Sequence, residues 1–97
     1  MGHNNIFDIS MKIDFRKIVV EINFEGERRI VDVSKDLANY CKSRTTDIGF
    51  EDFCREIYHT GEVEVSAEYA DAIIAIVSAK NCPFYAFVKR GIIKSLK

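Results

Sequence analysis

Through "KIVVEINFEGERRIVDV", residues 17–33, apolar Ile18, Val20, Ile22 and Phe24 alternate with Lys17, Glu21 and Asn23 over most of the first arm. A period of two is that of a strand with one buried face, so a β-hairpin is expected here. Its turn is placed at Glu25–Gly26, where glycine supplies a positive φ without steric penalty. A two-residue loop sets Val20 opposite Val31 and Ile18 opposite Val33, but also Ile22 opposite Arg29, so a three-residue loop stays open. Upstream, "MKIDF" extends the first strand only through a bulge or break near Arg16, because Ile13 and Phe15 fall on the other parity.

After Val33 the period changes to that of a helix. Ser34 is placed as N-cap of a helix reaching about Arg44, with Leu37 and Cys41 one turn apart on its inner face. "RTTD" breaks it, and Thr46 or Asp47 caps a second helix. There Phe50, Phe53, Cys54, Ile57 and Tyr58 follow the i, i+3, i+4, i+7, i+8 pattern of one buried stripe, and Gly61 ends the helix. "EVEVS" reads as an extended connector. Ser66 caps a third helix that turns Tyr69, Ala70, Ile73, Ile76 and Val77 inward. Pro83 is placed in the first turn of a fourth, whose inner face carries Phe84, Phe87, Val88, Ile92 and Leu96. The expectation is an α+β fold of order ββαααα: an N-terminal β-hairpin followed by four short helices.

Ninety-seven residues suit one small domain. A hydrophobic fraction of 47% is too high for a disordered chain. The longest apolar run, "AIIAIV", is far short of a bilayer span, and "MGHNNIFDIS" has neither the basic nor the apolar region of a secretory signal. Residues 1–10 are therefore read as a disordered leader, or as residues added ahead of a start at Met11, and residues 11–97 as the domain. Three cysteines without paired spacing fit reduced thiols in the cytoplasm rather than a disulfide framework.

The segment "FCREIYHTG", residues 53–61, gathers a thiol, a carboxylate, a phenol and an imidazole. On a helix Cys54 and His59, five positions apart, diverge by about 140°, so they cannot pair as thiolate and imidazole. Cys54 belongs to the apolar stripe; Arg55, Glu56 and His59 belong to the solvent face. The Cys spacing contains no C-x₂-C knuckle and His3 lies in the leader, so no zinc site, and no other cofactor, is expected. Cys82, before a proline at a helix start, is the one candidate reactive thiol. There is no glycine-rich phosphate loop, HExxH or GxSxG motif, and a non-enzymatic role is expected.

Charge is unevenly distributed. From Asp47 to Asp71 eight acids face one base, Arg55, whereas Lys80, Lys89, Arg90, Lys94 and Lys97 follow with no acid after Asp71. The helix-turn-helix reading of residues 50–77 fails on this count, because its second helix presents Glu68 and Asp71 where phosphate contact needs bases. A basic last helix complements the helix dipole and also offers a surface to a charged partner. A two-stranded hairpin leaves strand edges open to a further strand.

The run "RTTDIGFEDFCREIYHTGEVEVS", residues 44–66, resembles a stretch found in small uncharacterised bacterial prophage-type proteins, most specifically at "TDIG" and "REIYH". Phe53 and Cys54 depart from the aliphatic residues more usual there. The resemblance implies a bacterial or phage-borne intracellular protein acting in particle assembly, and carries over no functional residue.

The expected function is a non-catalytic protein–protein interaction or assembly module that self-associates as a homo-oligomer, without membrane contact. Its expected surfaces are the strand edge around Val19 and Glu21, the helix face of Arg55, Glu56 and His59, and the basic face of Lys89, Arg90 and Lys94. The alternative is a small regulator touching nucleic acid through the basic C-terminal helix, with a Cys82 thiol enzyme third.

Overall fold

A break in the chain at Phe15 decides how the strands are shared out. The computed structural model describes residues 10–97, in the order β1 (Ser10–Asp14), β2 (Ile18–Glu21), β3 (Arg28–Val31), α1 (Ser34–Ser43), α2 (Ile48–Thr60), β4 (Glu62–Ser66), α3 (Ala67–Ser78) and α4 (Ala86–Ser95). The class is α+β with four helices, as expected. The strands form two antiparallel pairs, β1 with β4 and β2 with β3, rather than one hairpin ahead of the helices. "EVEVS" is therefore a strand, and "MKIDF" supplies its partner instead of lengthening β2. The leader expected over residues 1–10 lies outside the described residues except for Ser10, which opens β1 and donates its hydroxyl to Glu64 Oε1 at 3.0 Å.

The break has a local cause. The Asp14 carboxylate accepts the Arg16 amide at 3.0 Å, and holds the Arg16 guanidinium through Nε at 2.9 Å and Nη2 at 3.1 Å. The resulting turn reverses the parity, so that Phe15 points fully into the core. Its amide donates to the Gly61 carbonyl at 2.8 Å and its carbonyl accepts from the Val33 amide at 2.9 Å, which ties both sheets to one residue. In the first sheet Met11 faces Val65 and Ile13 faces Val63 on the core side, while Lys12 faces Glu64 on the outer side. Opposed charges and buried apolar pairs of this kind are the unit of sheet stabilisation.

The β2–β3 loop is longer than expected. Ile18 lies opposite Val31 and Val20 opposite Arg29, and the Ile22 amide donates to Glu27 O at 2.9 Å, which leaves the four residues Asn23–Gly26 as the loop. Asn23 fixes that length. Its side chain accepts from the Glu27 amide at 3.0 Å and donates to Glu27 Oε1 at 3.0 Å, and Gly26 takes φ +90°. The buried face consequently ends at Val20. Ile22 is exposed, and Phe24 at the tip is 107% exposed.

Two helix starts and two side chains also differ from expectation. Ser34 does not cap α1. It is the first helical residue, buried, and Asp32 accepts both its amide (2.9 Å) and its hydroxyl (2.7 Å) through Oδ1. Pro83 precedes α4 by three residues, and Tyr85 holds the N-cap position with its carbonyl taken by the Val88 and Lys89 amides. Tyr58 and Phe87, expected inside, are exposed; the ring of Tyr58 lies under Lys35 Nζ, 5.0 Å from its centroid. The remaining ends agree. Asp47 accepts from the Phe50 amide, Ser66 from the Tyr69 amide, and Gly61 ends α2 at φ +77°. Phe50, Phe53 and Tyr69 lock α2 to α3, with Tyr69 4.8 Å from Phe53 and 5.2 Å from Phe50 between ring centroids.

Candidate functional site

The cluster in "FCREIYHTG" separates as helix geometry requires. Cys54 is buried, whereas Arg55, Glu56 and His59 are exposed. Arg55 pairs with Glu51 at 3.4 Å, the Glu56 carbonyl accepts the Thr60 hydroxyl at 2.9 Å, and His59 lies edge-on to Tyr58. Nothing there aims two reactive groups at one point. Among the described residues no three His, Cys, Asp or Glu side chains come together as a metal site needs. All three cysteines are free and buried. Cys41 of α1 faces Cys54 of α2, and hydrogen bonding to Cys54, then burial, push the Cys41 thiol far above the ordinary thiol range. Cys82 does not stand at a helix start, the position that made it a candidate nucleophile, and it is only 4% exposed.

A groove of about 900 Å³ runs between β2 and α4. Gly91 creates the close approach beneath it: a Cβ there would lie 2.6 Å from the Val19 carbonyl oxygen and 2.8 Å from Val20 Cγ1. Along one wall stand Val19, Glu21, Ile22 and Phe24; along the other, Tyr85, Phe87, Arg90 and Lys94; Lys17 and Arg28 close the set. Tyr85 and Phe87 stack on each other, 5.9 Å between centroids and 8° between planes, with Tyr85 74% exposed. Four cations thus surround an apolar floor with a single carboxylate, Glu21. None of these five charges has an ion-pair partner among the described residues. A second hollow of about 540 Å³ around residues 43–48 is lined by hydroxyls and mixed charges and gathers no comparable set.

Of the eight residues singled out in the sequence, Val19, Glu21, Arg90 and Lys94 meet in this groove. Lys89 does not. Its Nζ turns back to donate to the Ala79 carbonyl at 2.9 Å, closing the α3–α4 connection. Arg55, Glu56 and His59 remain on α2, outside the groove lining.

The strand edge at Val19 and Glu21 is also changed. Because Ile22 bonds to Glu27, the antiparallel alternation gives Ile18 and Val20 to β3 and points the backbone groups of Val19 and Glu21 away from it. α4 then covers that edge where Gly91 meets the Val19 carbonyl. Among the described residues the edge left open is the far side of β3, where the same alternation points the backbone groups of Arg28 and Ile30 outward.

Sequence reasoning missed Phe24, Ile30, Tyr85 and Phe87 as surface residues. The one available signal, for Ile30, was strand alternation: Val19 is out of step with Ile18 and Val20, and Ile30 with Val31, which turns both away from the buried face. Comparison of the chain with protein-family models, with curated proteins and with solved structures returns no match in any of the three.

Proposed function

We propose that this chain is a non-catalytic protein-interaction module that takes an apolar, acidic segment of a partner into the β2–α4 groove. The observation that carries the reading is the groove's composition. Solvent-facing aromatic and aliphatic side chains sit among four cations that no carboxylate of the described residues neutralises. Aromatic residues and Arg are the side chains enriched at protein interfaces. Their burial supplies affinity, and the cations select the sign of the partner. An acidic amphipathic segment matches both properties.

A second reading is favoured by one feature. The exposed Tyr85–Phe87 pair beside Arg90 and Lys94 is a combination that single-stranded nucleic acid uses for base stacking and phosphate contact.

The two readings separate in one titration of the protein against a fluorescein-labelled peptide alternating Leu and Glu, its Leu–Lys counterpart, and a labelled oligothymidylate. The module reading expects saturable binding of the Leu–Glu peptide, lost on Arg90→Glu, and none of the Leu–Lys peptide. Equal binding of both peptides, or of neither, removes it. Tighter binding of the oligonucleotide, weakening steeply with salt, transfers the groove to the second reading.

A further inference from the structure

We infer that two copies of this chain pair antiparallel through their β3 edges, about a two-fold axis at Ile30, joining two β2–β3 hairpins into one four-stranded sheet. The pairing goes beyond the groove reading and does not depend on it: its hydrogen bonds run along the β3 edge, although Val19 and Arg28 border both that sheet face and the groove.

Three observations lead to it. First, β3 is an edge strand that packs on β2, and the side chains of Arg28, Arg29 and Ile30 are exposed. Its outward backbone groups, those of Arg28 and Ile30, meet no hydrogen-bonding partner among the described residues. An uncovered edge of this kind is a template for another strand. Second, Ile30 is 68% exposed and lies directly opposite Val19, itself 51% exposed, on the outer face of the hairpin. Pairing Ile30 with Ile30 of the second copy lines up Val19, Ile30 and their two symmetry mates as one unbroken apolar row across four strands.

Third, charge selects the register. With Ile30 on the axis, Arg28 of each copy faces Asp32 of the other. Asp32 is prepared for that contact: both of its bonds to Ser34 use Oδ1, which leaves Oδ2 free to accept from a guanidinium. Arg29, already paired with Glu27 at 3.7 Å, then faces Val31. Moving the axis one residue to Arg29 keeps the same outward groups bonded but sets Arg29 against Arg29 and Arg28 against Ile30. Like charges directly opposite are destabilising, so the Ile30 axis is preferred. A two-fold interface must be self-complementary, and Arg28–Asp32 is complementary to itself in this register.

A four-residue edge is a small interface, so association is weak and rises with concentration. Sedimentation equilibrium from about 10 μM to about 1 mM brackets the range expected of a small contact. The mean mass should climb from 11.1 kDa toward twice that value for the wild type, and stay at the monomer for Ile30→Lys with an unchanged circular dichroism spectrum. Register is read separately with Ile30→Cys under mild oxidation, the three native thiols being buried. A hydrogen-bonded antiparallel pair holds its Cα atoms about 5.5 Å apart, within disulfide reach, so Ile30→Cys chains should cross-link. Val19→Cys chains, a strand further from the axis on each side, should not.

A wild-type monomer throughout, a dimer untouched by Ile30→Lys, or cross-linking of Val19→Cys but not Ile30→Cys each overturns the pairing. Titrating the Leu–Glu peptide in the same samples separates this from the groove, since Ile30 is not part of its lining. A wild-type monomer that binds the peptide overturns the pairing alone. A β3 dimer that binds none overturns the groove reading alone.

Discussion

Gly91 of α4 rests on the carbonyl oxygen of Val19 in β2, closer than any residue with a Cβ could. The contact decides how near helix and strand stand, and therefore how deep the groove above them is. Gly91→Ala sets two effects in opposition. Alanine gains about 0.8–1.0 kcal/mol of helix propensity over glycine. Its Cβ, however, meets a backbone oxygen at 2.6 Å and Val20 Cγ1 at 2.8 Å, and only the side chain can turn away. Overpacking costs about 1–3 kcal/mol, and a clash with a fixed backbone oxygen belongs in the upper half of that range, so the net expectation is a loss of roughly 1–2 kcal/mol. In a domain this size that lowers the melting temperature by about 5–15 °C. A thermal melt followed by circular dichroism checks it; a melting temperature equal to or above the wild type contradicts the close approach.

The start of α1 gives a second prediction. Asp32, not Ser34, organises it, since one carboxylate oxygen accepts both the amide and the hydroxyl of Ser34. Asp32→Ala leaves two donors without that acceptor, both on Ser34, which is only 3% exposed. A loss of about 1–2 kcal/mol is expected. Ser34→Ala removes one donor together with its need for a partner and is expected to cost less, about 0.5 kcal/mol. Urea unfolding of the two variants ranks them; the reverse order would return the cap to Ser34.

What could be read from the sequence follows from the range of the forces involved. The α2 stripe and its ends at Asp47 and Gly61 were legible because helix periodicity and capping are local, spanning four or five positions. The β1–β4 sheet was not, although the parity break at Arg16 was visible. Pairing Met11 with Val65 joins residues more than fifty positions apart, and no local pattern encodes such a choice. The hairpin register failed for a smaller reason. Gly26 marks the turn in either case, but the Asn23 side chain, two positions before the expected loop, lengthens it. Half of the candidate site was legible. Arg90 and Lys94, four apart, share a helix face by spacing alone. Tyr85 and Phe87 reach the surface because α4 begins after Pro83 rather than at it, with Tyr85 ahead of its first turn.

Acid should act through two carboxylates. Asp14 is held below its ordinary value of 3.8, first by the Arg16 guanidinium and then by the Arg16 amide. Asp32 is held low by the Ser34 hydroxyl and amide. A group whose folded pKa is depressed contributes stability that is fully present above its unfolded pKa and is lost as pH falls through the folded one. The urea midpoint is therefore expected to be level from neutrality down to about pH 5 and to decline below about pH 4. Asp14→Asn should lower the plateau and flatten the acid limb, because the amide carries no charge to titrate. A midpoint that holds or rises on acidification to pH 3 contradicts both assignments.

Neighbouring Lys89 and Arg90 should separate stability from binding. Lys89 Nζ donates to the Ala79 carbonyl at 2.9 Å in a half-buried site, while the Cys82 amide donates to the same oxygen at 3.0 Å. Removing the lysine therefore orphans no acceptor, and Lys89→Ala is expected at the low end for a charged hydrogen bond, about 1.5 kcal/mol. Its affinity for the Leu–Glu peptide should be unchanged, because Lys89 does not line the groove. Arg90→Ala and Lys94→Ala should do the opposite. Both residues are exposed, without an ion-pair partner among the described residues, so their loss should leave stability within about 0.5 kcal/mol. Peptide affinity should fall several-fold and become less sensitive to salt, as expected when a cation facing an acidic ligand is lost. Paired melts and anisotropy titrations of the three variants read both quantities, and a peptide affinity that falls equally in all three would mean that the positive charge of α4 acts as a whole rather than through the groove.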